Sequence, residues 1–169
     1  MKLNQSIETT CCFSGHRTNK LPWGANEDDP RCMELRRKLR DVIEAVYKAG
    51  IRHFVCGMAQ GSDLIFCEEV IDFRDYRTDV TIEAAIPCET QCKNWPEHTR
   101  NRYYRLVSQC DAETLLQTMY TSDCMLRRNR YMVDKSSVLI AVYDGTVGGT
   151  MQTVRYAKRQ GLEIITIAP

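Results

Sequence analysis

No apolar run in this sequence approaches the length of a membrane-spanning helix, and residues 1–5 show none of the apolar core of a secretory leader. A cytoplasmic protein with no membrane contact is the expectation. Excess charge of either sign is also missing: 23 lysines and arginines stand against 22 acids, a formal charge of +1. That balance argues against coating nucleic acid by charge alone and leaves only a local basic patch for such a role. C-x-x-C pairs are absent, and the nine cysteines are an odd number, several inside strand-like and helix-like stretches. This excludes a secreted disulfide framework and points to reduced thiols, many of them buried as small hydrophobes. The nearest metal-like grouping, Cys88, Cys92 and His98, is spaced poorly for zinc, so neither a metal nor a required cofactor is expected. Repeats and low-complexity linkers are lacking too. With 169 residues, 43% hydrophobic and 27% charged, the chain reads as one domain over 1–169.

What is present is a regular alternation of strand-like and helix-like stretches. The β-prone residues 8–13 end in the turn Ser14-Gly15-His16-Arg17, followed by a polar loop with Pro22, Trp23 and Gly24. Asp29-Pro30 reads as a cap and first-turn proline, and Leu35, Leu39, Val42, Ile43 and Val46 share one helical face until Gly50. A strand over residues 53–56, a glycine loop and a helix over 62–76 come next. A strand over 81–87 follows, then a helix over 96–110 and a short strand over 113–117. A helix over 124–134, an apolar strand over 138–143, a turn over 144–150, a helix to Gly161 and a strand over 163–167 complete the chain. This order implies an α/β fold: a mostly parallel sheet of about six strands with helices on both faces. Such sheets bind ligands beyond the carboxyl ends of their strands, where the strand order reverses. The three turns at 14–17, 57–63 and 144–150 are expected to meet there.

Each turn carries groups suited to an anion. Gly57-x-x-x-Gly61 is neither a dinucleotide fingerprint nor a P-loop, but its glycines permit close approach of a ligand. Asp63 in the first helical turn either caps the helix or meets a ribose hydroxyl or base N–H, since a carboxylate repels phosphate. Gly148-Gly149-Thr150 at a helix start is the better phosphate cradle. Gly15-His16-Arg17 offers a bidentate guanidinium in Arg17 and, in His16, a donor, a general acid or base, or a plain structural histidine. Of Arg127, Arg128, Asn129 and Arg130, at most two side chains reach one ligand from a helix. Trp95 and Tyr103 either stack on a base or belong to the core.

Taken together, these turns resemble the SLOG superfamily of Rossmann-like proteins, and within it a YpsA-like branch of small bacterial domains. The match is carried by Ser14-Gly15-His16-Arg17, by Gly57-Met58-Ala59-Gln60-Gly61-Ser62-Asp63, and by Ile86-Pro87-Cys88-Glu89-x-Gln91-x-x-x-Trp95. Arg128-Asn129 with Asp134, and Gly148-Gly149-Thr150 followed by Tyr156-Ala157, complete it. The resemblance implies a Rossmann-like, doubly wound single domain that binds nucleotides, nucleotide-derived signals or nucleic acid. DprA-type DNA-processing proteins, which bind single-stranded DNA, are similar at Gly15-x-Arg17, at Gly57-x-Ala59-x-Gly61-x-Asp63 and at Arg128-Asn129-Arg130. The Lonely-guy phosphoribohydrolases are similar at the glycine turn before the last helix, and use a carboxylate shortly after a Gly-Thr pair. Here Gly149-Thr150 is followed by Met151, Gln152 and Thr153, with no acid, which speaks against N-glycosidic hydrolysis.

The expected function is binding of a nucleotide or nucleotide derivative, to sense or relay it. Arg17, Gly148, Gly149 and Thr150 would meet phosphate, Gly15, Gly57 and Gly61 would give room, and Asp63 would meet ribose or base. Arg128 and Asn129 would close the site. No catalytic residue is assigned; Asp63 and His16 are the candidates. A nucleoside-monophosphate hydrolase and a single-stranded-DNA module are the alternatives, the latter needing a homo-oligomer to cover much DNA. Cell-division proteins enter as partners through the resemblance alone.

Overall fold

The computed structural model describes residues 5–169, so the leader reading of residues 1–4 lies outside the described residues. Six strands form one sheet: β1 (Thr10–Gly15), β2 (His53–Cys56), β3 (Thr81–Ile86), β4 (Ala112–Leu115), β5 (Val138–Val142) and β6 (Glu163–Ile167). Their order is β4-β3-β2-β1-β5-β6, and all five pairings are parallel. The expected "mostly parallel" sheet is thus wholly parallel. Each crossover is made by a helix: α1 (Pro30–Lys48), α2 (Ser62–Tyr76), α3 (Glu97–Gln109), α4 (Cys124–Asp134) and α5 (Gly149–Arg159).

Side-chain alternation along the strands sorts the core into two layers. Phe13, Phe54, Cys56, Ile82 and Ile140 face α1, α2 and α3, where the Phe13 and Phe66 rings stack at 4.3 Å. Cys12, Val55, Ala85, Leu139 and Ala141 face α4 and α5, meeting Met132, Val133, Val154 and Ala157. Each fully buried phenylalanine contributes about 1.5–3 kcal/mol. Helix α1 starts as its residues dictate: Asp29 accepts from the Arg31 N–H at 2.8 Å, Pro30 takes the first turn, and Cys32, Leu35, Leu39, Ile43 and Val46 are buried. Gly50, at φ +114°, turns the chain out of it.

Two boundaries differ from the sequence reading. Strand β1 begins at Thr10, behind a 3-10 turn at Ile7–Thr9, and runs on through Ser14 and Gly15 because β5 pairs with both. Strand β4 stops at Leu115, because the Gln117 side chain bonds the Met119 carbonyl and the Thr121 hydroxyl and turns the chain aside. Trp95 and Tyr103 pack edge to face at 5.5 Å, Tyr103 within the first core layer and Trp95 partly buried against it, and neither lines the cleft described below. On that same side, Glu27 and Glu68 both bond Arg36 and Arg102, joining the loop before α1 to α1, α2 and α3. Among the described residues, no helix is long and apolar enough to cross a membrane.

Candidate functional site

The strand order reverses between β1 and β5, and there the turns after β1, β2 and β5 come together. Two backbone groups of His16 hold them. Its N–H donates to the Val142 carbonyl at 2.9 Å, and its carbonyl accepts from the Ser62 N–H at 3.1 Å and the Ser62 hydroxyl at 2.7 Å. Its ring shares a 2.8 Å hydrogen bond through Nε2 with Asp144 Oδ1. Asp144 is held well below the usual carboxylate range, first by the Thr146 hydroxyl and then by His16. The result is a cleft of about 320 Å³ between the β1 and β5 turns, with α4 along one side.

Of the residues expected at a site, Gly15, His16, Arg17, Asp63, Arg128, Asn129, Gly148, Gly149 and Thr150 line this cleft. Gly57 and Gly61 do not, and the reason is steric. A Cβ on Gly57 would lie 2.5 Å from Arg128 Cζ, so that glycine makes room for a guanidinium of the protein itself. A Cβ on Gly61, whose φ is +94°, would lie 2.6 Å from the Thr18 backbone nitrogen. The expectation that these two open the loop to a ligand is corrected accordingly: they admit Arg128 and the backbone of residues 17–18. Gly15 likewise leaves space for the Ser62 hydroxyl. Gly149 is the contrasting case, with nothing within 4 Å of its absent side chain.

Arg128 is only 3% exposed. Its Nη1 donates to the Gly57 carbonyl, which also accepts from Gln91 Nε2 at 2.9 Å, and its Nε donates to Asn129 Oδ1 at 2.8 Å. Burial pulls its pKa down, and the carboxylate of Asp63 opposes that shift. Asp63 accepts from the Ala59 N–H at 3.1 Å, closing the loop after β2 on itself. Burial pushes Asp63 up to about 6, against the pull of Arg128, the Ala59 N–H and Arg17. It is the one carboxylate among the cleft's lining residues, facing Arg17, Lys20 and Arg128.

Helix α5 opens onto the cleft without a side-chain cap at Gly148, so its first-turn N–H groups lack intrahelical acceptors and its positive dipole end faces the space. Lys20, which sequence reasoning missed, completes the wall. Its Nζ donates to the Val147 carbonyl at 2.8 Å and lies 2.7 Å from where a Gly148 Cβ would be. Lysine 20 is remote from Val147 along the chain and sits in an ordinary polar loop, so only the tertiary structure shows the pairing. Gln152, at the place of the missing acid, is exposed and outside the lining. Arg127 and Arg130 are exposed on the far side of α4, Arg127 bonded to Asp123 and Arg130 lying 5.4 Å from the Tyr156 ring. Cys88 and Cys92 are buried, and no group of three or more metal-ligating side chains is found among the described residues.

Comparison with known proteins agrees with this architecture. The YpsA family profile, described as the YspA SLOG family, matches residues 11–167. The uncharacterized SPbeta prophage-derived protein YoqJ of Bacillus subtilis is 28% identical over 144 residues, covering 78% of this chain and 84% of that protein. A UPF0398 protein of Bacillus thuringiensis is 26% identical over 137 residues, covering 79% and 74%. Among solved structures, DNA processing protein A of Helicobacter pylori superposes with a TM-score of 0.62 at 17% identity, over 95% of this chain and 65% of that one. DprA of Streptococcus pneumoniae gives 0.60 at 14%, over 94% and 50%, so this chain spans about half to two thirds of these DprA chains. The structural-genomics target TM1055 gives 0.55 at 12%, over 92% and 72%. At these identities the structures share the fold and nothing finer is drawn from them. By the match over residues 11–167, the chain belongs to the YpsA family of SLOG proteins.

Proposed function

We propose that the cleft binds a nucleotide or nucleotide-derived ligand by its phosphate, and that the protein senses or relays that ligand. One observation carries the reading: the uncapped start of α5 and the side chains of Arg17, Lys20 and Arg128 all face one cleft with a single lining carboxylate. Free N–H groups at a helix start and a guanidinium free to bond bidentately are the usual means of holding phosphate. Asp63 suits a ribose hydroxyl or base N–H. Binding rather than hydrolysis is favoured because α5 continues after Gly149-Thr150 with Met151, Gln152 and Thr153, with no acid among them. A thermal-shift screen over mononucleotides, NAD, ADP-ribose and cyclic dinucleotides tests the proposal. At least one is expected to raise Tm in the intact protein and to fail with Arg17→Ala; no response from any of them overturns it. Release of free base from a nucleoside monophosphate, lost in Asp63→Asn, would replace it with the hydrolase reading.

A second reading, single-stranded DNA binding, rests on the outer surface of α4 and α5. Helix α5 carries Arg155, Lys158 and Arg159 with no acid, and these, like Arg130, have no acidic partner among the described residues. The Helicobacter pylori neighbour is described as binding single-stranded DNA. Anisotropy with a labelled oligonucleotide decides: this reading requires affinity falling with salt and lost in Arg155→Glu/Lys158→Glu, and no binding at low salt removes it.

A further inference from the structure

Eight of the nine cysteines are buried; the exception is Cys110, half-buried where α3 ends. Its backbone there is extended, at φ −68° and ψ 147°, and its S–H points back to the Leu106 carbonyl at 3.4 Å. Facing it at 4.0 Å is the sulfur of Cys67, fully buried in the middle of α2. No other thiol is so placed. Cys11 and Cys12 are neighbours on opposite faces of the sheet. The Cys56 S–H is committed to the Asp63 carbonyl at 3.3 Å, and the Cys88 sulfur lies against the Thr90 hydroxyl at 3.8 Å.

We propose that Cys67 and Cys110 are a reversible disulfide site, oxidised by a small-molecule disulfide that enters at Cys110. The two roles follow from position. Cys110 reaches solvent, so its thiolate attacks one sulfur of R–S–S–R, forming the mixed disulfide Cys110–S–S–R and releasing RS⁻. Cys67, out of reach of solvent, then attacks the Cys110 sulfur, its proton leaving with the second thiolate as RSH. Two protein thiols are oxidised, one small disulfide is reduced to two thiols, and a small thiol in excess reverses both steps. The hydrogen bond with Cys110 and then burial push the Cys67 thiol up, which keeps it from reacting first. Closing 4.0 Å to a sulfur–sulfur bond asks for a small side-chain rotation at the end of α3. The bond would fasten α2, whose first turn supplies Asp63 to the cleft, to the turn leading into β4.

The test uses oxidised glutathione on the native protein, followed by alkylation of free thiols in denaturant, digestion without reductant and mass spectrometry. A peptide pair linked through Cys67 and Cys110 is expected, with the other seven cysteines alkylated and the link lost after dithiothreitol. Cys67→Ala should stop at glutathione on Cys110, and Cys110→Ser should leave every cysteine alkylated. Because Cys67→Ala opens a small cavity, Cys110→Ser at the half-buried position serves as the variant that folds regardless. Glutathione retained on wild-type Cys110 without a link, a link through any other cysteine, or no reaction would overturn the proposal.

Discussion

Gly57 and Gly149 are the same residue type in opposite surroundings, and they make a paired prediction. Gly57→Ala drives a methyl group into the Arg128 guanidinium, 2.5 Å from Cζ, and the guanidinium cannot yield without leaving the Gly57 carbonyl. A loss of about 2–3 kcal/mol is expected, read as a fall in denaturation midpoint. Gly149→Ala meets open space and should change stability by no more than about 0.5 kcal/mol. It should still weaken ligand binding, because the new methyl group stands where the ligand would come against α5. Asp63 gives a pH prediction. Its folded pKa is about 6 against an ordinary 3.8, so the native state holds that proton more tightly than the unfolded state. Its contribution is fully present below about pH 4 and is lost as pH rises through 6, a change of roughly 3 kcal/mol at about 1.4 kcal/mol per unit. Denaturant titrations from pH 4 to 8 should show this one-proton slope in the wild type and its disappearance in Asp63→Asn. Glycines and acids can be counted in a sequence, but which of them face protein and which face a cleft cannot. Gly57 needs Arg128 beside it before its purpose shows, and the two are far apart in the chain.

Among the elements, those that announce themselves are the ones whose stability is local. Helix α1 was legible because cap, proline and apolar stripe lie within a few turns, and β5 because five consecutive apolar residues suit a strand buried on both faces. The ends of β1 and β4 were not legible. Ser14 and Gly15 are strand residues only because Ala141 and Val142 pair with them, and β4 is cut short by a side chain beyond it. The helices on one side are further joined by charge. Glu68 accepts from both Arg36 and Arg102 while Glu69 accepts from Arg36, so removing Glu68 strips partners from two half-buried guanidinium groups at once. Glu68→Ala should cost about 3 kcal/mol, and the added Arg102→Met should recover part of it, a non-additivity that a double-mutant cycle on melting would display.

Across the whole molecule the near-zero charge conceals an uneven distribution. The α1–α3 side neutralises itself through ion pairs, whereas α5 has basic residues and no acid. The strand order adds a second asymmetry: β1 sits inside the sheet, with β2 on one edge and β5 on the other. A chain ending at residue 136 keeps β1 to β4 but lacks the partner for Cys11 through Gly15. It should run as aggregates on size exclusion, whereas the full chain elutes as a defined species.

The same placement of β1 bears on how the protein is made. At about 5–20 residues per second, a ribosome leaves that strand with one bare edge for roughly ten seconds before β5 emerges. The cleft between the β1 and β5 turns comes into being only with the final crossover. Whatever occupies that cleft meets the finished fold and gives the nascent chain no help through that interval.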